Sequence, residues 1–284
     1  MTGVELVALA FGTLLALAVG SFLCVVIDRL PIELDEPNEY GDLYDTRPWS
    51  EVLGGTSRCS DCGEPIRGYE NIPVLSWLLL RGRCRSCGSA IPAFHPVVEA
   101  LVPALFLLMV WAIGWDWRLA PVLGLLPGAV VVGAIDLRTM IVPTRVVWPS
   151  LGLVVVLSVL ATVAVGVPEW LLVSAVGLLT LAGPLFVLWF VVPSGMGFGD
   201  VRLAVLLGWT VGFYAGAEPI AGVLLAMISL VLAALLGVVL GVVVMGARGR
   251  KARVPFGPSL VAGALFTIAY APTILEPFGV YSLS

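Results

Sequence analysis

The sequence predicts an all-α polytopic membrane protein, with about eight transmembrane helices and a small cytoplasmic zinc-knuckle domain between the first and the second. Three observations predict it. Hydrophobic residues make up 60% of the 284 residues and charged ones 12%, and the mean hydropathy is +1.06, a composition that suits a bilayer rather than a water-solvated globule. The apolar residues gather into runs long enough to cross a membrane. The one sizeable polar segment carries two CxxC pairs. The net charge of −4 says little about partners, because in a membrane protein the position of each charge matters more than the sum. The lipid bilayer is the first expected partner, and no nucleic acid is expected.

A helical span needs about 20 mostly apolar residues. Dividing the chain at polar, Pro and Gly breaks gives eight candidates, at roughly 4–27, 97–114, 119–135, 146–167, 169–192, 201–217, 219–245 and 256–274. The first run has no basic residue ahead of it and is followed by Arg29. That polarity is opposite to a cleaved secretory signal, so the run reads as a retained span with its N-terminus outside. Orientation can be checked against the 15 basic residues. With eight spans, all but Arg118 lie on the cytoplasmic side, among them Arg29, Arg47, Arg81, Arg83, Arg138, Arg202, Arg250, Lys251 and Arg253. One span more or fewer would scatter them across both faces, against the positive-inside rule. Both termini are therefore expected outside a cell membrane. The chain divides into a first helix (1–27), a cytoplasmic domain (28–95) and a seven-helix membrane domain (96–284).

Within the cytoplasmic segment, residues 28–58 hold eight acidic and three basic residues, several Pro and Gly, and no hydrophobic period. A loose, solvated stretch is expected there. Next come Cys59-Ser60-Asp61-Cys62 and Cys84-Arg85-Ser86-Cys87, two pairs separated by 21 residues. This spacing is close to that of a zinc ribbon, in which two knuckles each present two thiolates to one tetrahedral ion. Disulfides are the alternative, disfavoured in a reducing cytoplasm. Gly63 and Gly88 follow the knuckles and suit their tight turns. Four thiolates leave no open coordination position, so the zinc would be structural. Cys24 lies in the first span and reads as a small packing residue. Between the knuckles, residues 70–82 are apolar enough for a membrane-surface segment but too short to span. His95 is the only histidine, which excludes histidine-based triads and His-rich metal sites.

Two aspartates stand at span ends. Asp136 closes the third run, and Asp200 follows Gly195-Met196-Gly197-Phe198-Gly199 where the sixth begins. An ionisable residue at the edge of a bilayer is costly and marks a functional site by default. The 64 residues from Asp136 to Asp200 suffice for two crossings and their turns, so both carboxyls return to the same cytoplasmic edge. Two nearby carboxyls in a partly desolvated site hold one proton between them. One activates a water while the other donates to the scissile carbonyl, which is the arrangement of aspartic proteases. Gly197 and Gly199 would form a substrate-facing loop that lets a backbone approach closely.

In this order, the motifs resemble the type IV prepilin peptidases, which also act as N-methyltransferases. The resemblance rests on Gly20-Ser21-Phe22-Leu23 with Arg29, Leu30 and Pro31, and on the CxxC pairs flanking Asn71-Ile72-Pro73-Val74-Leu75-Ser76-Trp77. It rests also on Asp136 with Pro143, on the GxGD of Gly197 to Asp200, and on Pro255-Phe256-Gly257-Pro258. It implies a membrane aspartic endopeptidase that removes the basic leader of type IV prepilins and pseudopilins through Asp136 and Asp200. It further implies methylation of the new N-terminus with S-adenosylmethionine as donor, and spacing alone marks no binding residues for that cofactor. The sequence departs from the family pattern at Cys24 (commonly Asn), His95 (often aromatic) and Thr144 (often Asp or Asn), and the acidic 35–55 stretch reads as an insertion. Two rival readings share the paired aspartates. A preflagellin or presenilin-like GxGD protease would lack the knuckle domain, and a carboxylate-based ion transporter would need polar residues in the outer halves of the spans, which are almost absent.

Overall fold

The computed structural model describes residues 2–30, 48–193, 195–248 and 254–279. Pro31, most of the acidic stretch, Arg47, Arg250, Lys251 and Arg253 lie outside the described residues; of the stretch 28–58 expected to be loose, residues 31–47 lie outside as well, whereas Trp49–Leu53 form a short helix in which Val52 is buried. The described residues are helical, with no strand longer than an isolated bridge. The chain forms two compact units, Met1–Leu107 and Leu108–Ser284.

The first unit begins with α1 (Gly3–Arg29). Thr2 and Glu5 form its capping box, each side chain bonding the other's backbone N–H, which satisfies donors that a helix start leaves orphaned. Its apolar residues run all round the helix, as expected of one that meets lipid or protein on every side. At Gly20 the chain of α4 (Phe94–Ile113) comes so close that a Cβ would lie 3.1 Å from the Cα of Glu99. Arg29 in the last turn donates to the carbonyls of Val52 and Gly54, tying α1 to the short α2 (Trp49–Leu53). A 3₁₀ turn (Gly68–Asn71) and α3 (Leu75–Leu79) lie between the two cysteine knuckles.

The second unit contains α5 (Leu119–Thr139), α6 (Thr144–Val165), α7 (Glu169–Val191), α8 (Phe198–Tyr214), α9 (Pro219–Arg248), α10 (Gly257–Ala269) and α11 (Ala271–Leu275). Among the described residues, six helices are long and apolar enough to cross a membrane: α1, α4, α5, α6, α7 and α9. The other two predicted spans are also helical, but shorter. α8 has 17 residues, about 26 Å at 1.5 Å per residue and at the lower end of the spanning range. The last predicted span is a pair, α10 and α11 with the turn that follows, bent by 75°.

Burial identifies the core helices of this unit. In α5, 67% of the apolar window is buried, against 22% in α9, so α5 is enclosed by protein while α9 faces outward. α8 is enclosed as well, with Leu203, Ala204, Leu206, Leu207, Val211 and Phe213 fully buried. It packs on α7 through glycines. A Cβ at Gly177 would lie 2.6 Å from the Gly208 carbonyl and 2.6 Å from the Gly212 Cα, and one at Gly212 would strike the Val173 carbonyl. Lipid supplies no hydrophobic drive between helices, so association depends on the backbone contact that such small residues permit.

Candidate active site

Asp136 lies in the last turn of α5. Its carbonyl accepts the N–H of Met140 at 2.8 Å, and Met140 adopts a left-handed conformation (φ 59°, ψ 37°) that ends the helix. Three residues later Pro143 caps α6, so α5 and α6 are joined by a tight reversal. The Asp136 side chain is buried, 3% exposed, and its Oδ2 accepts the backbone N–H of Gly257 at 2.8 Å. Gly257 is the first residue of α10, where N–H groups are unsatisfied and the helix dipole favours a carboxylate. A Cβ on Gly257 would lie 2.8 Å from the same oxygen. Glycine alone lets the end of α10 close on Asp136.

Asp200 stands in the first turn of α8, two residues after Phe198 and half-buried. The carboxyls of Asp136 and Asp200 interact electrostatically, and α5, α8 and α10 pack against one another. Residues 64 apart in sequence are therefore brought to the same junction of helix ends. The glycines before Asp200 differ. Gly199 is half-buried, and its Cβ position lies 2.7 Å from the Cβ of Val142, so this glycine seats α8 against the α5–α6 reversal. Gly197 is exposed, with no atom nearer than 3.9 Å to its Cβ position. Of the two, Gly197 has open space before it, while the space at Gly199 is filled by the protein itself.

Three further contributors escaped the sequence reading. Gly257 orients Asp136, Val142 fixes the start of α8, and Arg202 links α8 to α6. The Arg202 guanidinium donates to the Thr144 hydroxyl and lies 4.7 Å from the centre of the Phe198 ring. Thr144 thus supplies an acceptor where the family pattern often has Asp or Asn. The Pro255-Phe256-Gly257-Pro258 motif was the available signal for Gly257, because Pro just inside a helix start marks an N-terminus.

In the first unit, the two knuckles repeat one construction. Cys59 N–H donates to the Glu64 carbonyl and Gly63 N–H to that of Cys59; Cys84 and Gly88 make the equivalent bonds with Ser89 and Cys84. Gly63 and Gly88 have φ of 72° and 73°, a region that favours glycine. The sulfurs of Cys59 and Cys87 are 3.8 Å apart, those of Cys62 and Cys84 4.0 Å, and all four lie within 4.8 Å of one another. A tetrahedron with metal–sulfur bonds of about 2.3 Å has edges of about 3.8 Å, so the four thiols fit a single ion with no open position. The Cys62 N–H, helped by the Ser89 hydroxyl, draws the Cys59 thiol down to about 6. Cys62, despite the Glu64 N–H directed at it, is pushed up to about 12 by desolvation and by bonds to the neighbouring thiols. Thiolates this close repel one another, so their joint ionisation would need a bound dication. Beside it, the Arg67 N–H and Arg85 hold Glu70 below the usual carboxylate range.

Family models match both units. The model described as "Bacterial Peptidase A24 N-terminal domain" matches residues 14–113, and that of the "Type IV leader peptidase family" matches residues 123–242. A protein named prepilin leader peptidase/N-methyltransferase from Stutzerimonas stutzeri is 33% identical, with 98% of each chain covered. The chain belongs to the type IV leader peptidase family. A relative of the same name from Neisseria gonorrhoeae is 34% identical over 89% of this chain and 87% of its own. One from Pseudomonas aeruginosa is 30% identical over 93% and 91%. No solved structure matches the chain. Among its described residues, this member of the family has several helices long and apolar enough to cross a membrane and one cysteine cluster that could hold a metal.

Proposed function

We propose that Asp136 and Asp200 are the catalytic pair of a membrane aspartic endopeptidase. With the family, the chain has the activities that its relatives are named for, prepilin leader cleavage and N-methylation. The observation that supports the pair is the convergence of the helix ends that carry the two aspartates, where α5 ends and α8 and α10 begin. One carboxylate takes a proton from water as the water's oxygen attacks the scissile carbonyl carbon, and the other carboxylic acid donates its proton to the carbonyl oxygen. Collapse of the tetrahedral intermediate breaks the C–N bond and returns a proton to the leaving amine. Gly257 N–H holds Asp136 in position throughout. Gly197, with open space before it, is the proposed point of approach of the substrate backbone.

The substrates are type IV prepilins and pseudopilins. Their basic leaders stay on the cytoplasmic side while their apolar helices lie in the bilayer, which agrees with a cytoplasmic placement of both aspartates and the knuckles, with both termini outside. In this scheme helix 1–27 and the 28–95 domain form one part and 96–284 the peptidase part. Cys59, Cys62, Cys84 and Cys87 would hold one structural zinc. S-adenosylmethionine supplies the methyl group for the new N-terminus. The test is mass spectrometry of a pilin-like substrate incubated with the protein, with and without S-adenosylmethionine. Expected are a leader loss that needs no donor and a further 14 Da that does; an uncut substrate refutes the peptidase reading.

A further inference from the structure

The short helix α3 presents its apolar side outward. Leu75, Leu78 and Leu79 are 48%, 58% and 74% exposed, and Ile72 just before them is 46% exposed. At 100° per residue the three leucines occupy one arc of the helix, with no polar residue among them. The opposite arc is the one the domain uses. Ser76 is buried and its hydroxyl donates to the Tyr69 carbonyl, while Trp77 donates its indole N–H to the Ile91 carbonyl at 3.1 Å. A small domain surrounded by water would show the reverse pattern, and exposed apolar patches of this kind mark an interaction surface.

The neighbouring backbone sets the depth at which α3 sits. Val74, its N-cap, has φ 62°, an outlier for a β-branched residue that persists only where its surroundings hold it. What holds it is Glu99, whose Oε2 accepts the Val74 N–H at 2.7 Å. Glu99 lies five residues into α4, a helix of 20 residues, about 30 Å long and so matched to the hydrocarbon core from end to end. Five residues along such a helix is about 7 Å, the depth to which an interfacial helix sinks its apolar face past the headgroup boundary, and it is there that the start of α3 is bonded to the spanning helix. Beyond α3, Arg81 and Arg83 are exposed, with stems long enough to keep their charges among headgroups.

We infer that Ile72, Leu75, Leu78 and Leu79 insert into the cytoplasmic membrane interface, with Arg81 and Arg83 on anionic headgroups. The knuckle domain is thereby held flat against the bilayer. This inference requires only that α4 spans the membrane, and it is independent of the catalytic roles of Asp136 and Asp200. The test places the photo-crosslinker p-benzoylphenylalanine singly at Leu79, at outward-facing Val163 on α6, and at Ser86 in the second knuckle. The full chain is reconstituted in nanodiscs of phosphatidylethanolamine and phosphatidylglycerol without substrate, and lipid adducts are counted by mass spectrometry. Leu79 is expected to give adducts within about twofold of Val163 and about tenfold above Ser86. A yield at Leu79 as low as at Ser86 would overturn the inference. So would coupling to the apolar helix of an added pilin-like substrate in place of lipid. Exchange of both lipids for phosphatidylcholine is expected to lower the Leu79 yield in the native chain but not in Arg81→Gln/Arg83→Gln; equal yields in both lipids for the native chain would remove the arginines from the proposal.

Discussion

The knuckle domain and the helical bundle hold their shapes by different physics. The bundle has apolar residues to spare, and its helices gain specificity from backbone proximity, as at Gly177, Gly208 and Gly212. The knuckle region has few fully buried side chains, with Ser76 the buried residue of α3 and three leucines turned outward. Its order comes from two repeated turns and four converging sulfurs, as in small domains that cannot build an adequate core. A mutation in the bundle should therefore act through packing or through the site, and one in the knuckles through the zinc proposed there.

The largest effect is expected from breaking the knuckles. Chelation, or Cys59→Ser with Cys62→Ser, should abolish amide-exchange protection across residues 57–91 and remove one zinc per chain by metal analysis, while protection of α5 and α8 stays as in the native chain. Equal loss in both units would erase the contrast. Next are Asp136→Asn and Asp200→Asn, each expected to lower leader cleavage by about 100- to 10,000-fold with unchanged zinc content; near-native turnover by either purified variant removes the dyad. Gly257→Ala should lower kcat by about 10- to 100-fold by displacing the Asp136 carboxyl, whereas Gly197→Ala should mainly raise KM. The smallest effect is predicted for Gly212→Val at the α7–α8 contact, a destabilisation of about 1–3 kcal/mol seen as a lower thermal midpoint of the bundle with no change in bound zinc.

The positions of the helices were legible in the sequence because a bilayer imposes length and apolarity on anything that crosses it. All eight predicted segments are helical, and the two that differ, the 17-residue α8 and the bent pair after Gly257, differ in length and straightness. The CxxC spacing was legible because two turns of fixed geometry must deliver sulfurs to one point, and the sulfurs do converge. The two aspartates stood out because carboxyls are costly at span ends. Less legible was the reason for each glycine: Gly199 reads in sequence as a substrate wall, and the fold fills its space with Val142.

By itself, then, the sequence determined which segments form apolar helices, which residues are candidates for chemistry and which family they resemble, because those depend on composition, local spacing and motif order. Only the tertiary structure decided that Gly257 grips Asp136, that Arg202 reaches Thr144, and that α3 turns its leucines outward. Each of these is a contact between segments far apart in the chain or a choice of helix face, and neither leaves a local period to be read. The opening stretch of GxGD shows both sides of this division: its aspartate was recognisable from position, while its glycines acquired separate roles only when α8 was set against the reversal between α5 and α6.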